Sequence, residues 1–158
     1  MSTACGHDHR AQGPDAAAVA AELAGAERRC EAAGQKLTAP RKRVLELLVK
    51  AGQPVKAYDL IAAYGEDGAP AKPPTVYRAL EFLAKQGFAH RIESLNAYVA
   101  CRRGEGGHSA AFLICECCGA TREIASAANP IEALGEAAGY ALSGVTIEAR
   151  GLCADCRS

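Results

Sequence analysis

Apolar residues mark out the first helix before anything else in the chain can be read. Val19, Leu23, Ala26 and Cys30 recur at i, i+4, i+7 and i+11, one stripe of a helix. Asp15 offers a side-chain cap at its start, and Gly34 offers a stop. Cys30 therefore reads as a core thiol rather than a ligand. A second helix is predicted over residues 40–51. Thr38 would cap it, Pro40 lies in its first turn, and Val44, Leu45, Leu47 and Leu48 form its apolar face. A short third helix is predicted over 56–64, followed by the loop Gly65-Glu66-Asp67-Gly68-Ala69-Pro70. The fourth opens at Pro73-Pro74 and runs to Gln86. Val76, Ala79, Leu80 and Leu83 face inward, Arg78, Glu81 and Lys85 outward, with Tyr77 on the flank.

The pattern then changes period. Residues 88–93 and 97–101 read as two strands joined by a tight turn at Ser94-Leu95-Asn96. Helices followed by a hairpin are the order of a winged helix-turn-helix, whose last helix enters the major groove while the wing touches the backbone. After a polar, glycine-rich stretch, strands are predicted over 110–115, 120–124 and 145–149. A helix opening at Asn129-Pro130 and ending near Gly139 lies between the last two. The fold class expected is α+β: a flexible tail over 1–13, a winged-helix domain over 14–101, a hinge loop over 102–109, and a small α/β domain over 110–158.

Charge changes this picture. The chain as a whole is neutral, which argues against nucleic acid, but residues 36–91 carry ten Lys/Arg against five Asp/Glu, flanked by acidic stretches. A basic block of this kind is the electrostatic footprint of phosphate binding. No apolar run reaches the length of a membrane span and the N-terminus has no signal-peptide core, so a cytoplasmic protein with no membrane partner is expected.

Cysteine spacing adds chemistry. Cys115-Glu116-Cys117-Cys118-Gly119 and Cys153-Ala154-Asp155-Cys156 each contain C-x-x-C, and two such knuckles can complete a tetrahedral zinc site of four thiolates. Cys115, Cys118, Cys153 and Cys156 are the expected structural ligands, stapling the α/β domain. Cys117 is expected to be a bystander, because Cys118 keeps the two spacings equal. A thioredoxin-like redox pair is the competing reading, but such a pair normally stands alone at a helix start. Cys5, His7 and His9 in the first thirteen residues read as part of a disordered tail, with metal capture as the alternative.

Four segments together resemble the ferric uptake regulator superfamily: residues 37–45 (LTAPRKRVL), 74–80 (PTVYRAL), 87–91 (GFAHR) and 112–119 (FLICECCG). Residues 71–78 and 148–156 resemble its zinc uptake regulator branch. The resemblance implies a homodimer joined through the C-terminal domains, acting on double-stranded DNA with a palindromic operator. It implies a second, regulatory zinc per subunit held by His90, Cys101, His108 and Glu123. Two imidazoles, a thiolate and a carboxylate suit tetrahedral Zn²⁺, and the thiolate disfavours an oxygen-seeking metal. Iron-sensing relatives carry a histidine cluster where residues 106–111 hold His108 alone. The function implied is zinc-dependent repression of zinc-uptake genes. Arg78 would read a base, while Tyr77, Lys72, Arg43 and Tyr58 would contact or approach the DNA.

Three other readings compete. A sensor of another metal or of peroxide would differ at Cys101. A zinc enzyme would need an open coordination position and a nearby acid or base, and the chain has no His-x-Glu or His-Glu-x-x-His motif, so no enzyme is expected. A zinc-stabilised interaction module without DNA binding would leave the basic block without a purpose.

Overall fold

The computed structural model describes residues 13–102, 110–124 and 130–157. They form two compact units, one over 13–102 and the other over the remainder. The first thirteen residues other than Gly13, and all of the hinge loop other than Arg102, lie outside the described residues.

The first unit is built from four helices and a hairpin. Helix α1 spans Ala16–Ala32, and Asp15 caps it by accepting the Ala18 amide at 2.8 Å. Its four expected stripe residues, Val19, Leu23, Ala26 and Cys30, are all buried. Helix α2 (Ala39–Ala51) starts without a side-chain bond from Thr38 and ends at Gly52, whose φ of 61° gives the left-handed turn that glycine adopts without cost. Val49 joins its buried face, while Leu47 is only partly buried. Helix α3 (Ala57–Ala62) is shorter than its sequence suggests. Lys56 is its non-helical cap, and the Ala63 amide closes the last turn on the Asp59 carbonyl. Helix α4 (Pro73–Lys85) buries Val76, Ala79, Leu80, Phe82 and Leu83.

Strands β1 (Ala89–Ile92) and β2 (Ala97–Ala100) pair antiparallel. Instead of a simple tight turn, a 3₁₀ turn over Glu93–Leu95 joins them, with Asn96 at φ 46°. Val55 adds a bridge to this wing, exchanging both backbone hydrogen bonds with Tyr98 at 2.8 Å. The sequence gives no sign of this bridge, because one residue between two helices carries no periodicity. The centre of the unit is fully enclosed by Val44, Leu48, Leu60, Val76, Leu80 and Leu83.

Among the described residues, the second unit is a three-stranded sheet ordered β4-β3-β5, with one α-helix. The central strand β3 (Ala110–Cys115) pairs antiparallel with β4 (Thr121–Ile124) and parallel with β5 (Thr146–Gly151). An apolar central strand suits this position, since β3 has a neighbour on each side and buries all but Leu113. Helix α5 spans Pro130–Ala137, and β5 begins and ends later than its apolar pattern indicates. The parallel register sets Cys115 opposite Gly151, so the turn after β3 and the segment after β5 leave the sheet at one end.

Candidate metal centre and nucleic-acid interface

That end of the sheet carries both C-x-x-C knuckles. Cys115 closes β3, and the Gly119 amide turns back onto the Cys115 carbonyl at 2.9 Å, with Gly119 at φ 74°. The turn over residues 115–118 brings Cys118 back beside Cys115, and the left-handed glycine then lets the chain double back so that the Ala120 carbonyl accepts from the Cys115 amide at 2.9 Å. On the other side, Glu116 donates its amide to the Gly151 carbonyl at 2.8 Å, tying the first knuckle to the end of β5. Cys153 then opens a 3₁₀ turn over Ala154–Cys156, and the Cys156 amide bonds back to the Cys153 carbonyl at 3.1 Å.

The four sulfurs of Cys115, Cys118, Cys153 and Cys156 all lie within 4.8 Å of one another. Cys118 Sγ and Cys153 Sγ are 3.8 Å apart. A tetrahedron with metal–sulfur bonds of about 2.3 Å has edges of about 3.8 Å, so this spacing fits a zinc tetrathiolate. At Cys115 the electrostatics favour the same chemistry. The backbone amides of Cys118 and Cys153 point at Cys115 Sγ and bring its thiol down to about 6, with the Cys153 bond at 3.3 Å. Amides directed at a sulfur stabilise the thiolate, which is the form that ligates metal. Cys117 lies in the same turn but outside the four-sulfur group. Cys30 is enclosed in the first unit, where burial pushes its thiol up.

In the wing, His90 sits on β1 and Cys101 follows β2, with the Cys101 amide bonded to the Phe88 carbonyl at 2.9 Å. The antiparallel register brings their donor atoms within 4.8 Å of each other. Glu123 lies on β4 of the second unit, directly across from Phe112. His108 lies outside the described residues.

Helix α4 presents Tyr77 and Arg78 to solvent, and Lys72 is the exposed residue that caps it. Tyr58 on α3 stands out from the surface, 78% exposed. Arg43 does not join them as a free cation. Its Nε donates to the Tyr64 carbonyl at 2.7 Å, Nη2 to the Ala63 carbonyl at 3.3 Å, and Nη1 to Glu46 at 2.9 Å. Each nitrogen of the Arg43 guanidinium thus makes a bond within the protein, and these bonds use three of its five N–H groups. The spacing of Arg43 and Glu46 hints at their pairing, but the carbonyl partners are 20 and 21 residues away and leave no trace in the sequence.

Residues 32–149 match the ferric uptake regulator family. The zinc uptake regulation proteins of Escherichia coli (strain K12) and Shigella flexneri are each 42% identical to this chain over 137 residues, covering 85% of this chain and 80% of theirs. Among solved structures, a zinc uptake regulator complexed with zinc and DNA gives a TM-score of 0.78 at 42% identity. That match covers 88% of this chain and 95% of the other. Holo XcZur gives a TM-score of 0.76 at 40% identity, over 87% of this chain and 97% of its own. With this match across most of its length, the chain belongs to the ferric uptake regulator family.

Proposed function

We propose that this protein is a zinc-responsive, DNA-binding transcriptional repressor of zinc-uptake genes. The observation that carries the reading is the likeness, over 88% of the chain, to a zinc uptake regulator complexed with zinc and DNA. The donor sets support it. Cys115, Cys118, Cys153 and Cys156 hold a structural zinc ion that fastens the segment after β5 to the end of β3. His90, Cys101, His108 and Glu123 hold a regulatory one, giving one of each per subunit. The protein acts by binding rather than catalysis, in the cytoplasm.

The working form is a homodimer joined through residues 110–158, the α/β domain, with residues 14–101 as the DNA-binding domain. Ile131, Leu134, Tyr140 and Leu142 of the α/β domain stand exposed in the single chain, which is the kind of apolar surface a partner subunit covers. Two winged helices related by a two-fold axis read a palindromic operator, and their separation must match the half-site spacing. Zinc at the regulatory set supplies a bond network that only one arrangement of the wing and the following domain satisfies. His90 and Cys101 precede residues 102–109, His108 lies within them and Glu123 follows, so their joining couples metal level to that arrangement. Converting a population from 1:99 to 99:1 needs a preference of about 5.5 kcal/mol, within reach of a zinc site assembled in one state only.

Elemental analysis of zinc per subunit across a chelator series tests the reading. The expected result is one zinc that resists and one removed mildly, the second missing in Cys101→Ser, with retardation of promoter DNA lost alongside it. A single resistant zinc, indifferent to Cys101→Ser, would leave a zinc-stapled DNA-binding protein that answers to another signal.

A further inference from the structure

The side chain of Arg43 joins three places at once. It stands on α2 immediately before the buried pair Val44 and Leu45, and is itself only 19% exposed. Its guanidinium meets the last carbonyls of the α3 region, Ala63 and Tyr64, where a helix leaves acceptors without partners. Glu46, one turn along α2, bonds to the same guanidinium and to Lys50, which holds the fork in place. Hydrogen bonds from Lys50 and Arg43 keep the Glu46 carboxyl below its ordinary range. A planar fork with two of its donors on adjacent carbonyls fixes direction as well as distance.

What lies beyond those carbonyls matters for DNA. Tyr64 leads into the turn that runs from α3 to α4. Gly65 closes that turn on the Ala69 carbonyl at 3.0 Å, and the Ala71 amide returns to the Ile61 carbonyl at 3.0 Å. Lys72, Tyr77 and Arg78 follow directly. Both α2 and α3 pack against α4. Arg43 therefore holds the starting point of the segment that delivers the recognition helix, as well as the end of the helix bearing Tyr58.

We infer that Arg43 is a positioning residue for DNA recognition. By capping the carbonyls at the end of α3 it fixes α3 and the 64–72 turn in the geometry that presents Tyr58, Lys72, Tyr77 and Arg78 together, without touching a phosphate itself. This inference rests on the DNA-binding reading above. The role differs from a phosphate contact in a measurable way. Each phosphate contact adds about 0.9 to the steepness of log K against log salt, whereas a residue that only pre-organises the surface changes the affinity and leaves that slope alone.

The experiment uses the full-length zinc-loaded protein. The probes are a duplex selected by the wild type from a randomised library and an unselected duplex of equal length. Arg43→Gln is expected to weaken binding to the selected duplex about tenfold, through lost pre-organisation, with the salt slope unchanged and the unselected duplex less affected. Amide exchange in residues 65–71 is expected to quicken. Arg43→Lys keeps the charge and loses the fork, so it recovers only part of the affinity; it also serves if Arg43→Gln does not fold. A salt slope lower by about 1 in Arg43→Gln, or full recovery in Arg43→Lys, would show a direct phosphate contact and overturn the inference. Unchanged affinity in a folded but less heat-stable Arg43→Gln would reduce the residue to a purely structural one, overturning it as well. Failure of the wild type to bind any duplex with zinc present would instead remove the DNA-binding reading on which the inference stands.

Discussion

The first knuckle offers three cysteines, and the geometry groups two of them with the pair from the second. Cys117 and Cys118 are neighbours, and either could in principle pair with Cys115. Equal C-x-x-C spacing favours Cys118 in the sequence, and the structure groups its sulfur with the other three. The reason is the turn itself: residues 115–118 wind so that the Gly119 amide closes onto the Cys115 carbonyl, and that winding places residue 118 on the same side as residue 115. Cys118→Ser is therefore expected to abolish the resistant zinc. The folding free energy of a structural zinc site is on the order of 10 kcal/mol, more than a unit this small can spare, so its cooperative melting is expected to disappear. Cys117→Ser is expected to keep both the zinc and the transition. Elemental analysis and a thermal melt of the two variants settle the assignment, and retention of zinc by Cys118→Ser with its loss from Cys117→Ser would reverse it. The amides that lower Cys115 to about 6 are illegible in the sequence, because they come from backbone groups whose positions the spacing does not fix.

The elements are legible in proportion to how local their causes are. Helix α1 buries the four residues of its apolar stripe, and α4 buries its own four plus Phe82, since i, i+3 and i+4 neighbours suffice to define a buried face. Helix α3 stops short of its expected end, because Tyr64 continues the apolar spacing while its carbonyl is held by Arg43, outside the helix. The strands β3 and β5 can be anticipated as strands, but their parallel pairing depends on partners about 36 residues apart, such as Ala110 and Thr146, and no period encodes that. The wing turn shows the same limit at short range. Asn96 ends the 3₁₀ turn at φ 46°, a conformation that asparagine and glycine tolerate and β-branched residues do not. Asn96→Val is expected to lower stability by about 1–2 kcal/mol, and Asn96→Gly to be near neutral. Comparing their denaturation midpoints tests this, and equal midpoints for all three proteins would mean that the turn carries no such demand.

At the scale of the molecule, a neutral chain hides a division of labour. The acidic and basic stretches cancel in the sum, yet the basic block covers α2 to β1, the part that carries the exposed face of α4. That division, and the α+β character, can be read from the sequence. The choice among the outward cations cannot, because charge and spacing do not distinguish a residue that reads bases from one that grips phosphate or one that braces a helix. Arg43 is the case in point, being engaged internally. Arg78 and Lys72 remain exposed, and different tasks are expected of them from their positions. Arg78 lies on the exposed face of α4, in its second turn, where a guanidinium can meet guanine N7 and O6 with two parallel bonds. Lys72 sits at the cap, at the positive end of the helix, where a phosphate is the natural partner. Arg78→Ala is expected to cost about 1–3 kcal/mol on the selected duplex and to relax the preference at one base position in each half-site. Lys72→Ala is expected to weaken all duplexes alike and to lower the salt slope by about 1 for each phosphate that Lys72 neutralises. Binding measured on a set of single-base variants at two salt concentrations separates these outcomes. A uniform loss in Arg78→Ala, with its preference intact, would move base reading to another side chain of the same face, with Tyr77 next in line.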